Sequence, residues 1–251
     1  MDPTSVTIIT GGGRGIGRAI ALRMAKETAI AVVGRTRKDI SSVGDEILAN
    51  GGEVRLRVGD VTNPETAERV IEYCSGLSIR NLVCNAGISK GGATESFEIG
   101  LWKEILDVNI TGSFHFIKAC LPHMLKEKRG TICLISSTAG LKGYSHSAAY
   151  VASKHALVGL AKSLAIEHGK NGIVSVAICP GFVESDMTTR SIKSLAARRG
   201  ISEDEARERI TRVNPQHRII PAEEVAEAVA FVCSGKVPSL SGSALTLSGG
   251  E

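Results

Sequence analysis

Short apolar runs alternate with amphipathic stretches along nearly the whole chain. Seven runs are rich in β-branched residues and have the length of strands, at 5–10, 29–34, 53–58, 81–85, 130–136, 173–179 and 243–249. Helix-period stretches separate them, at about 15–26, 38–49, 64–75, 101–127, 149–169 and 222–233. Continuously apolar strands that alternate with helices are typical of a parallel sheet with helices on both faces. The pattern therefore predicts an α/β protein with a doubly wound parallel sheet of about seven strands.

No repeat, low-complexity tract or linker interrupts this alternation. A length of 251 residues suits one α/β domain, and 43% of apolar residues is enough for a substantial core. We therefore expect a single domain over residues 1–251. Within it, residues 186–218 form an insertion with helical periodicity, which we expect to act as a lid over the substrate.

Charge and targeting signals exclude several classes of protein. The net charge is +4 and no block of Lys or Arg runs through the chain, so a nucleic-acid partner is not predicted. The start, "MDPTSVTIITGGG", lacks the basic residues and long apolar core of a signal peptide, and no apolar run reaches the ~20 residues that span a membrane. Cys and His residues lack the spacing of a zinc site. We expect a cytoplasmic protein without a metal or a membrane partner.

A glycine-rich turn, "TGGGRGIG" at residues 10–17, joins the first strand to the first helix. Glycines allow a sharp turn and a close backbone approach to a pyrophosphate, which the free N–H groups of a helix N-terminus then bind. Glycines also form ordinary tight turns, but the position between strand and helix favours dinucleotide binding in a Rossmann-like sheet. The candidate cofactor-binding residues of this turn are Gly11, Gly13, Gly15, Ile16 and Gly17.

Two arginines indicate which form of the cofactor binds. Arg35 follows the second strand, where NAD-binding proteins usually carry an acid for the ribose 2′-hydroxyl, and Arg14 lies inside the glycine turn. The alternative is that both are solvated surface residues. Because two converging guanidinium groups fit a 2′-phosphate, the predicted cofactor is NADP.

Several polar residues stand at positions that the pattern makes apolar. Asn109 falls on the apolar stripe of the fourth helix, where it either braces a neighbouring backbone or holds a water molecule. Ser136 and Ser137 end the fifth strand, at the edge where open α/β sheets bind ligands. Tyr150 and Lys154 lie one turn apart on the same face of an apolar helix. Either this pair packs and reaches water by chance, or it performs chemistry.

Seven motifs occur in the order found in short-chain dehydrogenases/reductases, and the chain resembles this family over nearly its whole length. They are "TGGGRGIG", Asp60–Val61, "NAG" at 85–87, Asn109, Ser137, "YVASK" at 150–154 and "PGFVESDM" at 180–187. The resemblance implies that Tyr150 is the general acid–base and that Ser137 holds the substrate oxygen. It also implies that Lys154 lowers the pKa of Tyr150 and binds the nicotinamide ribose, and that Asn109 supports a proton-relay water.

The resemblance adds further cofactor-binding residues and leaves other positions open. The added residues are Asp60, Val61, Asn85, Ala86, Gly87, Tyr150, Lys154, Pro180, Val183 and Ser185. Cys84 stands where the family often has a second Asn, and Ser185 where Thr is usual. Tyr144 and His146 precede the helix that carries the candidate acid, and they either line the substrate pocket or form a surface or subunit contact.

The segment after residue 180 is similar to that of 3-oxoacyl-thioester reductases. The expected function is therefore NADP-dependent reduction of a 3-oxoacyl thioester, carried by coenzyme A or by an acyl-carrier protein. One alternative is a dehydrogenase of another secondary alcohol, such as a sugar, polyol or alicyclic alcohol. Another is an NADP-binding regulator without turnover. The resemblance also implies a homotetramer that pairs through the helices at 101–127 and 149–169.

The candidate lid carries the charge excess of the chain. Residues 188–218 contain eight basic and four acidic residues, which accounts for the net charge of +4. A capping box at Ser202 and acid–base helix pairs account for part of this charge. The basic residues without an obvious local partner are Arg190, Lys193, Arg198, Arg199 and Arg218. Either these are solvated, or Arg198 and Arg199 attract an anionic carrier of the substrate.

Overall fold

A computed structural model describes residues 2–251 of the chain. Within this range seven strands lie parallel in one sheet of order β3-β2-β1-β4-β5-β6-β7. They are β1 (Asp2–Thr10), β2 (Thr28–Gly34), β3 (Val54–Val58), β4 (Ser78–Cys84), β5 (Gly130–Ile135), β6 (Ile173–Pro180) and β7 (Ala244–Leu247). The predicted doubly wound α/β fold is confirmed. The first and fourth strands begin three residues earlier than the sequence indicated.

Helices connect the strands. They are α1 (Gly15–Met24), α2 (Arg37–Ala49), α3 (Pro64–Tyr73), α4 (Ile99–Leu106), α5 (Gly112–Glu127), α6 (Ala148–His168), α7 (Asp186–Arg199), α8 (Glu203–Thr211) and α9 (Ala222–Cys233). The stretch predicted as one helix at 101–127 is α4 and α5, joined by a π-helical turn at Asp107–Thr111. A regular 3.6-residue pattern does not reveal such a turn, because a single extra residue shifts the pattern only locally. No helix of residues 2–251 is both long and apolar enough to cross a membrane.

Alternate residues of each strand point to opposite faces of the sheet, and both faces are covered. In β2, Ile30 and Val32 pack in the core beneath α1, α2 and α9. Their neighbours Ala31 and Val33 pack in the second core, beneath α3, α5 and α6. This double burial explains why the strands read as continuous apolar runs.

The sheet reverses its winding at β1, which pairs with β2 on one side and β4 on the other. The loops that follow these strands diverge at this point and leave a crevice at the carboxyl edge, where α/β sheets bind ligands. On the far side of the crevice, α7 and α8 pack on each other around a small apolar cluster of their own, which includes Ile192, Ala196 and Ile210. That these two helices cover the substrate stays a prediction.

Candidate active site

A cleft opens at the carboxyl edge of the sheet, between the turn after β1 and the start of α7. Most of the predicted cofactor-binding residues line it: Gly11, Gly13, Arg14, Gly15, Ile16, Gly17, Arg35, Asp60, Val61, Asn85, Ala86, Gly87, Tyr150, Lys154 and Ser185. Within the described chain, Pro180 and Val183 lie outside this lining. Pro180 ends a buried strand. The side chain of Val183 is buried, and its carbonyl oxygen accepts a hydrogen bond from Thr188 at 2.6 Å.

The glycine turn has the close packing that a pyrophosphate cradle requires. A Cβ atom on Gly17 would lie 2.2 Å from the carbonyl oxygen of Gly11, so no other residue fits there. Gly11 itself has a φ of +65°, which favours glycine. Among residues 2–251, no side chain caps the first N–H groups of α1, and its first turn carries no acid. These N–H groups therefore suit an anionic ligand.

Both predicted arginines reach the cleft. Nη1 of Arg14 lies 3.1 Å from Oδ2 of Asp186, the first residue of α7. Nη1 of Arg35, which follows β2, lies 4.0 Å from Oδ2 of Asp60, which follows β3. Both guanidinium groups are mostly exposed, and so each can turn toward a phosphate. The sequence reasoning missed Arg190, which also lines the cleft and whose helical position one turn after Asp186 was a usable signal.

Tyr150 and Lys154 lie at the inner end of the cleft. Nζ of Lys154 is 5.5 Å from the centroid of the Tyr150 ring and donates a hydrogen bond to the carbonyl oxygen of Ile135 at 2.8 Å. Burial lowers the pKa of Lys154 to about 8. Burial also raises the pKa of Tyr150 to about 12, although a hydrogen bond with Ser137 opposes this effect. The pKa of Tyr150 is set here by burial and by its neighbours Ser137 and Tyr144, so the expected lowering by Lys154 stays a prediction.

Ser137 is positioned by the end of β5. Its backbone is extended, and its Oγ accepts a hydrogen bond from the backbone N–H of Ala139 at 3.1 Å. The hydroxyl group also hydrogen-bonds the phenol of Tyr150. One hydroxyl and one phenol therefore face the same space, which suits a ligand oxygen that accepts hydrogen bonds from both.

Asn109 lies in the π-helical turn and is completely buried. Its Oδ1 accepts a hydrogen bond from the N–H of Ile88 at 2.8 Å, and its Nδ2 donates to the carbonyl oxygen of Ile88 at 3.0 Å. The amide thus braces the loop after β4, which is one of the two roles that the sequence left open. A Cβ atom on Gly87 would lie 3.3 Å from Oδ1 of Asn109 and 3.6 Å from Nζ of Lys154, so the loop passes tightly between them. The role of Asn109 in holding a water stays a prediction.

Two serines hold these groups in place, of which the sequence reasoning missed Ser153 and gave Ser136 no role. Ser153 accepts a hydrogen bond from Nδ2 of Asn109 at 2.9 Å and donates one to the carbonyl oxygen of Tyr150 at 2.7 Å. Ser136 donates a hydrogen bond to the carbonyl oxygen of Lys154 at 2.8 Å. Both are buried polar residues on otherwise apolar elements, and this was the available signal.

The charges of the candidate lid are partly paired. The capping box forms at Ser202, and the pairs Arg209–Glu205 and Arg212–Glu208 form at 2.9 and 3.4 Å. The expectation that Arg218 lacks a partner is wrong, because its guanidinium group binds both carboxylate oxygens of Glu224, at 2.6 and 3.0 Å. Arg198 reaches the loop after β4, where its Nη1 lies 4.0 Å from the position of a Cβ atom on Gly91.

Comparison with known proteins identifies a family and several relatives of this chain. Residues 5–196 match the model of the short chain dehydrogenase family. The chain is 36% identical over 250 residues to the granaticin polyketide synthase putative ketoacyl reductase 1 of Streptomyces violaceoruber, covering 98% of this chain and 92% of the relative. It is 33% identical over 248 residues to the 3-oxoacyl-[acyl-carrier-protein] reductase FabG of Escherichia coli K12, covering 98% and 96%.

The solved structures agree with the sequence relatives. A variant of the actinorhodin polyketide ketoreductase, crystallised with NADPH, superimposes with a TM-score of 0.94 at 33% identity and covers 98% of this chain and 96% of that one. The likeness extends over the glycine turn, the sheet and the helices of the candidate lid. The chain belongs to the short-chain dehydrogenase family.

Proposed function

We propose that the protein is an NADP-dependent oxidoreductase that reduces a ketone to a secondary alcohol, with a 3-oxoacyl thioester as its substrate. The observation that carries this proposal is that Tyr150 and Lys154 line one cleft together with the glycine turn, while Ser137 contacts Tyr150. Proton donors and a dinucleotide cradle at one sheet edge are the parts that carbonyl reduction needs.

The residues of the cleft fit NADP. The N-terminus of α1 and the glycine turn suit the pyrophosphate, and Arg14 and Arg35 suit the 2′-phosphate. The chain carries Gly34 and Arg35 at the end of β2 and no acid there. An acidic side chain at this point would repel the 2′-phosphate. Lys154 lies next to the ring of Tyr150 and so suits the nicotinamide ribose.

When bound, the cofactor supplies the hydride that reaches the carbonyl carbon. Ser137 and Tyr150 hold the carbonyl oxygen by donating hydrogen bonds to it. Because burial raises the pKa of Tyr150 to about 12, the phenol is protonated near neutral pH and can transfer its proton to the oxygen as negative charge develops there. The ammonium of Lys154 then stabilises the phenolate that remains.

The thioester is the finer part of the proposal. It is supported by the relatives named above, two of which are named for reducing ketoacyl groups. The position of Arg198 beside Gly91 supports it independently, since a cation beside the loop after β4 suits an anionic carrier. Another secondary alcohol as the natural substrate is the alternative.

We also propose a homotetramer, which pairs through α4–α5 and α6. Apolar side chains remain exposed on these helices, with Ile99 67%, Phe114 49% and Ile166 87% exposed. Large exposed apolar groups on helices whose opposite faces are already buried are typical of subunit contacts. Light scattering at micromolar concentration measures the assembly, and a monomer would contradict it. A cytoplasmic location stays a prediction from the sequence.

The experiment for the proposed function is turnover of acetoacetyl-CoA with NADPH by the wild type and by Tyr150→Phe. The variant keeps the ring and loses the transferable proton, so kcat drops by a factor of at least ~100 while NADPH still binds. The control is Tyr73→Phe, which changes an exposed phenol on α3. Normal turnover in Tyr150→Phe, or no turnover of any ketone by the wild type, would contradict the proposal.

A further inference from the structure

A buried carboxylate joins the loops on either side of the candidate active site. The side chain of Glu251 is 3% exposed, so its charge needs partners. Nζ of Lys142 lies 2.8 Å from its Oε1, and the phenol of Tyr144 donates a hydrogen bond to the same oxygen. Its Oε2 packs against the loop after β6, 3.0 Å from the position of a Cβ atom on Gly181.

These partners come from the segments that hold the reacting groups. Lys142 and Tyr144 lie in the loop that has Ser137 at one end and Tyr150 at the other. Gly181 follows β6 and begins the segment that leads to Ser185 in the cleft. Glu251 therefore connects the substrate side of the site with its cofactor side.

The loop is also held at a second point. His146 has a φ of +58°, a conformation that costs energy for a residue with a side chain. Its carbonyl oxygen accepts a hydrogen bond from the N–H of Gly92 at 2.9 Å. A strained backbone persists only where its surroundings fix it, and the hydrogen bond from Gly92 fixes the loop at His146.

Two hydrogen bonds of the Tyr144 hydroxyl group determine which group receives its proton. A carboxylate oxygen accepts, and so the phenol donates to Glu251. The phenol oxygen also lies 2.7 Å from Oγ1 of Thr138, and with its own proton engaged it accepts from that hydroxyl. Burial and the hydrogen bond to Glu251 raise the pKa of Tyr144, so the phenol keeps its proton.

Tyr144 is a second phenol close to the groups that hold the ketone, because its oxygen lies 2.7 Å from Oγ1 of Thr138, the residue that follows Ser137. Its contribution to the raised pKa of Tyr150 agrees with this placement. A free Tyr144 hydroxyl would be a competing donor for the carbonyl oxygen of the substrate. That competitor would hold the ketone where Tyr150 cannot protonate it productively.

We propose that Glu251 is a positioning residue, which engages the Tyr144 phenol so that Ser137 and Tyr150 alone bind the reacting ketone. This inference rests on the proposed function, in which Tyr150 is the proton donor. Glu251 acts through Tyr144 and touches neither the substrate nor the cofactor. Lys142 balances the buried charge and holds the carboxylate in place.

The test is the steady-state kinetics of Glu251→Leu with acetoacetyl-CoA and NADPH, because leucine has no oxygen to accept the Tyr144 proton. Unproductive binding of a ketone lowers kcat and KM by the same factor and leaves kcat/KM unchanged. We expect both constants to fall about five- to tenfold in Glu251→Leu. We expect kcat to return to within twofold of the wild type in Glu251→Leu/Tyr144→Phe, because the competing hydroxyl is gone. Tyr144→Phe alone should retain wild-type kcat.

A purely structural role gives a different pattern. In that case kcat/KM falls in Glu251→Leu and the added Tyr144→Phe change does not restore kcat, which would overturn the inference. Unchanged constants in Glu251→Leu would also overturn it. So would a kcat more than tenfold lower in Tyr144→Phe, a measurement that stands even if Glu251→Leu fails to fold.

Two controls separate this inference from the proposed function. Glu224→Gln removes an exposed carboxylate that is paired with Arg218, and it should leave both constants unchanged. Tyr150→Phe tests the proton donor itself. An inactive Tyr150→Phe with normal Glu251→Leu kinetics would overturn the role of Glu251 alone, whereas an active Tyr150→Phe would overturn the proposed function.

Discussion

Arg14 pairs with Asp186 across the mouth of the cofactor cleft, with 3.1 Å between Nη1 and Oδ2. The two residues are 172 positions apart, and they connect the glycine turn with the first residue of α7. Both side chains are more than 60% exposed, so the pair is weak and its guanidinium group can be drawn away by a stronger anion.

The pair competes with a cofactor phosphate for Arg14. Asp186→Asn frees the guanidinium group and removes a negative charge from the cleft, so NADPH should bind about two- to fivefold more tightly. The gain should shrink as salt is added, because both side chains are exposed. Fluorescence titration with NADPH measures the affinity. The control is Asp204→Asn on α8, and weaker binding in Asp186→Asn would contradict the prediction.

The form of the cofactor is decided at the end of β2. The wild type should bind NADPH at least tenfold more tightly than NADH, a difference of about 1.4 kcal/mol. Arg35→Asp replaces an attraction for the 2′-phosphate with a repulsion and should weaken NADPH more than NADH. Titration of both nucleotides checks this, with Arg212→Ala, directly after α8, as the control. Equal affinities of the wild type for the two nucleotides would show that these arginines are surface residues.

The buried Lys154 makes stability depend on pH in the alkaline range. Its pKa falls from 10.5 to about 8 on folding, and so between these values the unfolded chain binds more protons than the folded one. Stability therefore rises with pH across this window. From pH 7 to pH 9.5 the free energy of unfolding should rise by about 2 kcal/mol more in the wild type than in Lys154→Met.

Urea unfolding at the two pH values measures this difference, and the comparison cancels the titration of all other groups. Lys236→Met, which changes an exposed lysine after α9, should behave like the wild type. A pH response of Lys154→Met equal to that of the wild type would mean that the ammonium is not desolvated on folding.

The arginines at the end of α7 make a prediction about the carrier of the substrate. The same 3-oxoacyl group should be reduced with a higher kcat/KM on coenzyme A or carrier protein than on a short neutral thioester, because Arg198 and Arg199 attract phosphate. The advantage should shrink with salt and in Arg198→Ala/Arg199→Ala. The matched control is Arg207→Ala/Arg212→Ala, which changes one arginine on α8 and one directly after it. If the neutral thioester is reduced as well as both carriers, the basic residues of α7 have no part in recognition.

The sequence was informative where function depends on local spacing. The four-residue step from Tyr150 to Lys154 and the glycines at 11–17 follow from helix periodicity and turn chemistry, and both lie in the cleft. The fold class followed in the same way, since apolar runs and helical periods are local patterns.

Contacts between residues that are distant in sequence could not be predicted from local patterns. Glu251 meets Tyr144 at a separation of 107 positions, and no periodicity links them. The pairing of Arg218 with Glu224 spans a break between elements, so the helix spacing rule did not apply. The raised pKa of Tyr150 depends on the burial of its phenol, which a neighbouring lysine four positions away does not determine.

The π-helical turn at Asp107–Thr111 accommodates one residue more than an α-helical turn does, so the side chains of α4 and α5 keep a common rotational phase on either side of it. Losing one residue here would convert the turn to an ordinary α-helical one and leave Phe116 and Cys120, which are fully buried, facing the core. The change would instead fall on Asn109, which this turn directs toward the N–H and the carbonyl group of Ile88. A one-residue deletion in this stretch should therefore preserve the packing of α5 and remove the brace of the loop after β4.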